Sequence, residues 1–252
     1  MNNTNPIFSI VTVTYNASQF LERTIQSVIT QSYPSVEYIV IDGNSTDGTQ
    51  DIIRKYEDRI AYWISEPDKN LYDAMNKGLA KATGDYVWFI NAGDEIYLPD
   101  VIFQMLLQLK GKFPDIIYGE TEIISVDGKT LGMRRLQAPD KLIWKSFGMG
   151  MLVCHQSFIV RREIAPVFDI QYLYSSDFDW CIRCMQVTNS IVNSHLILSK
   201  FMDGGISDKK RKCSLKERYR IMCKYYGKFP TQLRHIWFAI RFYYYKCLKG
   251  WV

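Results

Sequence analysis

The sequence predicts an α/β domain, a mostly parallel central sheet with helices on both faces, extended by a helical basic tail. Three observations predict it. Apolar, β-branched runs of strand length alternate with amphipathic stretches over residues 7–100, the pattern of a right-handed parallel sheet. Polar or acidic turns follow successive strands, and strand ends of one parallel sheet share an edge. Charge divides near residue 208: residues 209–252 hold 13 Lys/Arg against a single acid, Glu217, whereas the preceding residues are net acidic. The expected organisation is therefore a domain over residues 1–208, with halves 1–100 and 101–208, and a tail over 209–252.

Ser9 to Thr14 is a β-branched run and reads as the first buried strand. Tyr15-Asn16-Ala17-Ser18 breaks it, and a helix over about Gln19 to Gln31 follows, with Leu21, Ile25, Val28 and Ile29 on one face. Val36 to Ile41 is a second strand, ended by Asp42 and a loop of turn formers through Thr49. A helix over Gln50 to Tyr56 and a strand over Ile60 to Ile64 come next, then the polar loop Glu66-Pro67-Asp68-Lys69-Asn70. Leu71 to Ala82 has one apolar stripe and stops before Gly84. Tyr86 to Ile90 is an apolar strand that runs into the turn Asn91-Ala92-Gly93-Asp94. Pro99 suits a first helical position before Val101 to Leu109. Asp115 to Tyr118 is a short strand, and Thr121 to Leu131 is a hairpin around Asp127-Gly128. Met133 to Met151, rich in Met, Gly and Trp, reads as mobile. Gln156 to Val160 is strand-like, Ser175 or Ser176 caps a helix running to Val187, and Ile191 to Ser199 is extended. The tail reads as one or two helices.

No run reaches the ~18 consecutive apolar residues of a membrane span, and no basic-then-apolar leader opens the chain. Six cysteines show one C-x-x-C spacing, Cys181 and Cys184, without a second pair at zinc-ribbon distance. They read as reduced core residues, hence a cytoplasmic setting. Neither G-x-G-x-x-G nor a P-loop lysine motif is present, so a nucleotide must be held through base, ribose and metal-bridged phosphate. The basic tail interleaves Lys and Arg with Trp237, Phe238, Phe242, Tyr243, Tyr244, Tyr245 and Trp251, a mixture suited to an anionic membrane surface. A helix packed on the domain with a solvated basic face is the plainer alternative. The acidic body offers nucleic acid no second patch.

Tyr15-Asn16, Asp42, Glu66-Pro67-Asp68 and Asp94 thus converge at one sheet edge. A carboxylate there suits magnesium or manganese with phosphate, although Asp94 by itself reads equally well as a helix cap. Ser9 to Asn16, Asp42 to Thr49 and Gly84 to Asp94 resemble, in order and spacing, the signatures of family 2 glycosyltransferases and their GT-A nucleotide-sugar fold. The resemblance is clear over residues 7–100 and weaker to about residue 208.

That resemblance implies an inverting, metal-dependent transfer of a sugar from a nucleoside-diphosphate donor, UDP-sugar first, to a glycan hydroxyl. With the tail, it implies a lipid-linked acceptor at the inner face of the membrane in bacterial cell-surface polysaccharide assembly. Tyr15, with Thr14 and Asn16, would pack on the donor base and Asp42 would bond it, with Gly43 where some relatives carry a second acid. Glu66 with the loop after it and the polar face of Tyr72 to Gly78 would reach ribose or sugar. Asp94 would ligate Mn2+ or Mg2+, helped by Asn91, since Ala92 and Gly93 replace acids common in relatives. Asp177 would be the catalytic base, with Asp179 as competitor. His155 and Gln156 would contact substrate, and Asp203 to Ser207 would form a mobile loop over the site. Two rivals remain: a degenerate transferase that binds without turnover, and a sugar-phosphate nucleotidyltransferase, which would want a basic glycine-rich loop after the first strand.

Overall fold

A computed structural model describes residues 5–205 and 210–249, with side chains as far as residue 240. The first half alternates as expected: β1 (Phe8–Thr14), α1 (Leu21–Ile29), β2 (Val36–Asp42), α2 (Thr49–Lys55), β3 (Tyr62–Ser65), α3 (Leu71–Lys81) and β4 (Tyr86–Phe89). These four strands are parallel in the order β3-β2-β1-β4. Both faces of the sheet are covered. Along β1, Phe8 and Ile10 enter a core with Leu21 and Ile25 of α1, and Val11 and Val13 enter the opposite core with Tyr72 and Met75 of α3. A strand buried on both sides must be apolar at successive positions, which is why this segment lacks polar alternation. Helix α3 lies close on β1 because Gly78 has no side chain; a Cβ there would meet Val11 Cγ1 at 2.3 Å.

Beyond β4 the pairing becomes mixed. The elements are β5 (Glu95–Ile96), α4 (Val101–Leu109), β6 (Ile116–Ile124), β7 (Thr130–Met133), β8 (Phe158–Arg161), α5 (Ser176–Val187) and β9 (Ile191–Met202). β8 joins β4 and β6 antiparallel, β9 runs parallel to β6, and β5 closes the far edge antiparallel to β9. The tail forms α6 (Arg211–Tyr226) and α7 (Lys228–Lys249).

Four expectations need correction. Pro99 lies in the turn before α4, whose first residue is Val101. β6 is nine residues long, because its polar second half pairs with both β7 and β9. Residues 133–151 are anchored: Leu142, Phe147 and Met151 are buried, and Arg134 donates to the carbonyls of Leu136, Met151 and Leu152. Ser175 occupies the N-cap position of α5, but its hydroxyl bonds Ser214 of α6 instead of the helix backbone. Cys181 and Cys184 are fully buried, and burial pushes both thiols well above their usual range.

Candidate active site

Register brings Thr14, Asp42 and Ser65 side by side at the C-terminal edge of the parallel strands. The loops beyond are stitched together by the Gly43 N–H on the Thr14 carbonyl (2.9 Å) and the Glu66 N–H on the Asp42 carbonyl (3.0 Å). Asp42 has no solvent exposure. Its carboxylate accepts from the Ser45 N–H (2.9 Å), the Ser45 hydroxyl and the Ser65 hydroxyl (2.6 Å). It therefore acts first as a strut that shapes the loop from residue 43 to 49. The residue that faces solvent here is Tyr15, 67% exposed. Asn16, in the left-handed region at φ 48°, receives the Thr46 N–H on its side-chain oxygen (2.9 Å). The buried Thr14 hydroxyl has no hydrogen-bond partner.

Gly43 lies between two side chains: a Cβ would stand 3.1 Å from Asp68 Oδ2 and 3.2 Å from Tyr15 Cδ2. Asp68, one of the acids expected at this sheet edge, therefore lines the same cleft. Lys77, within the segment expected to face ribose or sugar, bridges Glu66 (2.8 Å) and Asp68 (2.6 Å). Its position on α3 gives no local sign of that, since the pairing depends on how α3 docks.

Because β8 runs antiparallel to β4, the turn leading into β8 meets the end of β4, and this brings His155 to Asn91. Asn91 Nδ2 donates to His155 Nε2 (3.3 Å), and His155 Nδ1 faces Asp177 Oδ2 at 3.3 Å. One neutral tautomer satisfies both contacts, with the proton on Nδ1. The Tyr72 hydroxyl donates to the other Asp177 oxygen at 3.1 Å. Burial pushes the Asp177 carboxyl up, but the hydrogen bond from His155, with the positive charge of Arg218, holds it below the usual carboxylate range. Burial and the neighbouring Asp177 charge raise Tyr72 well above a normal phenol, so it stays a neutral donor. The structure thus brings Asn91, His155 and Asp177 together as one chain of contacts, with Tyr72 as a member that sequence alone did not single out.

Two expectations change here. Gln156 is only 1% exposed, so it is no substrate contact. Its amide donates to Asp94 Oδ2 (2.6 Å) and its oxygen accepts from the Cys154 thiol. Asp179 is excluded as base: fully buried, it is held by Arg183 (2.6 Å), Lys224 (3.1 Å) and the Tyr225 hydroxyl (2.8 Å). Asp203 and Gly204 form the bend after β9, whereas Ile206 and Ser207 of the expected mobile loop lie outside the described residues.

Asp94 is 5% exposed. Its Oδ1 accepts the Met202 N–H at 3.0 Å, and burial pushes its carboxyl up to about 6 against the pull of that bond and of Gln156. Among the described residues no three His, Cys, Asp or Glu gather as a metal centre. Asn91 Oδ1, however, is buried with no hydrogen-bond partner, an acceptor left open beside the turn that carries Asp94. One carboxylate and one amide oxygen suit a hard divalent cation that takes its remaining ligands from water and substrate phosphate.

An open α/β sheet thus gathers a carboxylate, a polar turn and an aromatic ring at its strand ends, where such sheets bind their ligands. Residues 9–166 match the family model for glycosyl transferase family 2, and the chain belongs to that family. It is a glycosyltransferase. It shares 31% identity over 236 residues with an uncharacterised glycosyltransferase of Mycobacterium tuberculosis, covering 92% of this chain and 88% of that protein. It is 41% identical over 166 residues to a candidate teichuronic acid biosynthesis glycosyltransferase, TuaG, of Bacillus subtilis, covering 65% of each. The fold is that of TarS from S. aureus, solved as residues 1–349 with UDP: TM-score 0.67 and 18% identity over 86% of this chain, which spans 64% of that fragment. A mannosyltransferase from Pyrobaculum calidifontis, solved with GDP-Man and Mn2+, superposes with TM-score 0.62 and 16% identity, covering 86% of this chain and 64% of that one.

Proposed function

We propose that this enzyme transfers a sugar, with inversion, from a UDP-sugar to a hydroxyl of a lipid-linked glycan during assembly of a cell-surface polysaccharide. The observation that carries the chemistry is the Asn91–His155–Asp177–Tyr72 network. An ionised carboxylate, held at both oxygens and 15% exposed at its side chain, is oriented to accept one proton. As the acceptor oxygen bonds the anomeric carbon, its proton passes to Asp177 and the bond from that carbon to the diphosphate breaks. A single displacement leaves the product with inverted configuration.

Tyr15 offers a ring face to the base, and Thr14, Asn16 and the loop braced by Asp42 form the wall around it. Glu66 and Asn91 reach the ribose and phosphate side. Asp94, with the open Asn91 oxygen, would hold Mg2+ or Mn2+, which supplies positive charge against the departing diphosphate. UDP is favoured by the TarS complexes with UDP and UDP-GlcNAc, and a glycan acceptor by the name of the B. subtilis relative. The charge of the basic tail, residues 209–252, supports a position on the inner face of the cell membrane.

The test is calorimetric titration with UDP and GDP, each with and without Mn2+. Metal-dependent UDP binding that Asp94→Ala abolishes and Asp177→Ala keeps is the expected result. Binding of neither nucleotide overturns the reading in favour of a protein that has lost donor recognition.

A further inference from the structure

Helix α7 is amphipathic in the wrong sense for a helix that merely packs on its domain. Its inward side is fixed by contacts: Thr231 is fully buried, and the Arg234 guanidinium stacks over the Tyr226 ring at 5.0 Å. Arg234 also lies against Gly148, where a Cβ would come within 2.5 Å of Nη1. His235 meets the Tyr219 and Phe238 rings edge-on at 5.2 and 5.5 Å. Residues 231, 234, 235 and 238 thus define the buried face. The opposite stripe, at i, i+4, i+7, i+8 and i+11, is Phe229 (70% exposed), Leu233 (52%), Ile236 (58%), Trp237 (52%) and Ile240 (56%). Ile143 and Met149, at either end of the turn that receives Arg234, are exposed as well.

An ordinary surface helix turns such a stripe toward its own core. Here it faces away, so something else covers it. Charge selects the occupant. Residues 218–252 contain eight Lys/Arg and no Asp or Glu, so nothing in that stretch repels an anionic surface. No described helix is long and apolar enough to cross a membrane. A helix that joins an apolar stripe containing Trp to a wholly cationic charge set lies in the plane of a lipid headgroup layer.

We infer that the outer stripe of α7, from Phe229 to Ile240, inserts into an anionic bilayer surface and sets the height of the active site above it. This rests on the proposed lipid-linked acceptor and names the element that would meet the lipid. The link inward is α6. Its Glu217 carboxylate accepts the N–H groups of Leu173 (2.9 Å) and Tyr174 (2.8 Å), and Ser214 pairs with Ser175, immediately before the helix that starts with Ser176 and Asp177. A docked α7 therefore holds the base at a defined distance from the lipid, through one helix.

The full chain is sedimented with vesicles of phosphatidylcholine alone and of phosphatidylcholine with one-third phosphatidylglycerol, beside the double variant Leu233→Glu/Trp237→Glu. Both substituted positions are exposed, so the fold survives, and unchanged UDP binding verifies it. The expected result is association only with phosphatidylglycerol vesicles, weakening as salt rises, and at least tenfold weaker in the variant. Equal sedimentation of variant and parent, or none by the parent, overturns the inference. So does a dimer in sedimentation velocity that the variant dissociates while neither form binds vesicles, which would assign the stripe to a second copy. Absent vesicle binding with intact UDP binding sinks the docking alone. Intact vesicle binding without nucleotide binding sinks the transferase reading alone.

Discussion

In the loop after β2, the Asp42 carboxylate takes its hydrogen bonds from Ser45 of its own loop and Ser65 of the adjacent parallel strand, no more than 23 residues away. At Asp177 the partners are Tyr72, 105 residues distant, and His155, which reaches it through an antiparallel strand pairing. Asp42 is sealed from solvent, whereas the Asp177 side chain keeps 15% of its surface open. A carboxylate with local partners and no exposure braces the fold. One with distant partners and part of its surface open to solvent can accept a proton from substrate. The two regions should therefore fail in different ways when changed.

The largest separation is expected from Asp177→Asn. It removes the proposed base but keeps the shape, so kcat should fall about 1,000-fold, roughly 4 kcal/mol of barrier, with UDP affinity and melting temperature close to the parent. A comparable loss of nucleotide affinity would show that Asp177 belongs to the donor wall. Asp42→Ala should do the reverse. Leaving Ser45 and Ser65 without their acceptor should cost about 3 kcal/mol of stability, read by urea unfolding, and weaken UDP binding through the loosened loop. If stability is unchanged, Asp42 is no brace.

His155→Ala sharpens the picture of Asp177. Without the imidazole, burial is opposed less strongly, so the acid limb of the kcat/KM profile should move to higher pH, with activity at neutral pH down about tenfold. An unmoved limb would separate His155 from the base. The smallest effect concerns Asp47. Against the cost of desolvation, Thr49 and Ser18 hold its carboxyl down to about 2 from 3.8. A lowered native pKa contributes stability that is complete above about pH 4 and is lost as pH falls toward 2. Because Asp47 is exposed, solvent screening reduces this to about 1 kcal/mol. Asp47→Ala should flatten the acid side of the stability profile by that amount, and an unchanged profile would remove Asp47 from the donor loop's support.

The same contrast explains what was legible in the sequence. Strands buried on both faces announce themselves as apolar runs, and the turns after them name their own edge, so Asp42, Asp94 and Tyr15 could be placed from local pattern. Asp177 was singled out by resemblance, and Asp179 competed with it because two acids in one first turn look alike until burial separates them. Gln156 looked like a substrate contact because nothing local reveals that its amide is spent on Asp94, 62 residues earlier. Lys77, Asp68 and Tyr72 could be named only as members of a segment for the same reason: their individual partners exist only once α3 has docked on the sheet. The charge boundary near residue 208 was real as composition and silent about packing, since Ile221 and Met222 of α6 are core residues.

That last point bears on any attempt to shorten the chain. Asp179 has no access to water, and two of its partners, Lys224 and Tyr225, are contributed by α6. A chain trimmed after residue 208 to yield a smaller, better-behaved catalyst would keep Arg183 as the sole remaining partner among those three. It would also uncover the apolar wall on which Ile221 and Met222 rest. Removing one side of a buried ionic contact typically costs about 3–5 kcal/mol, a large part of a domain's whole margin. The place where the composition changes is thus a poor place to cut, and the shortest autonomous form of this enzyme includes the helix from Arg211 to Tyr226.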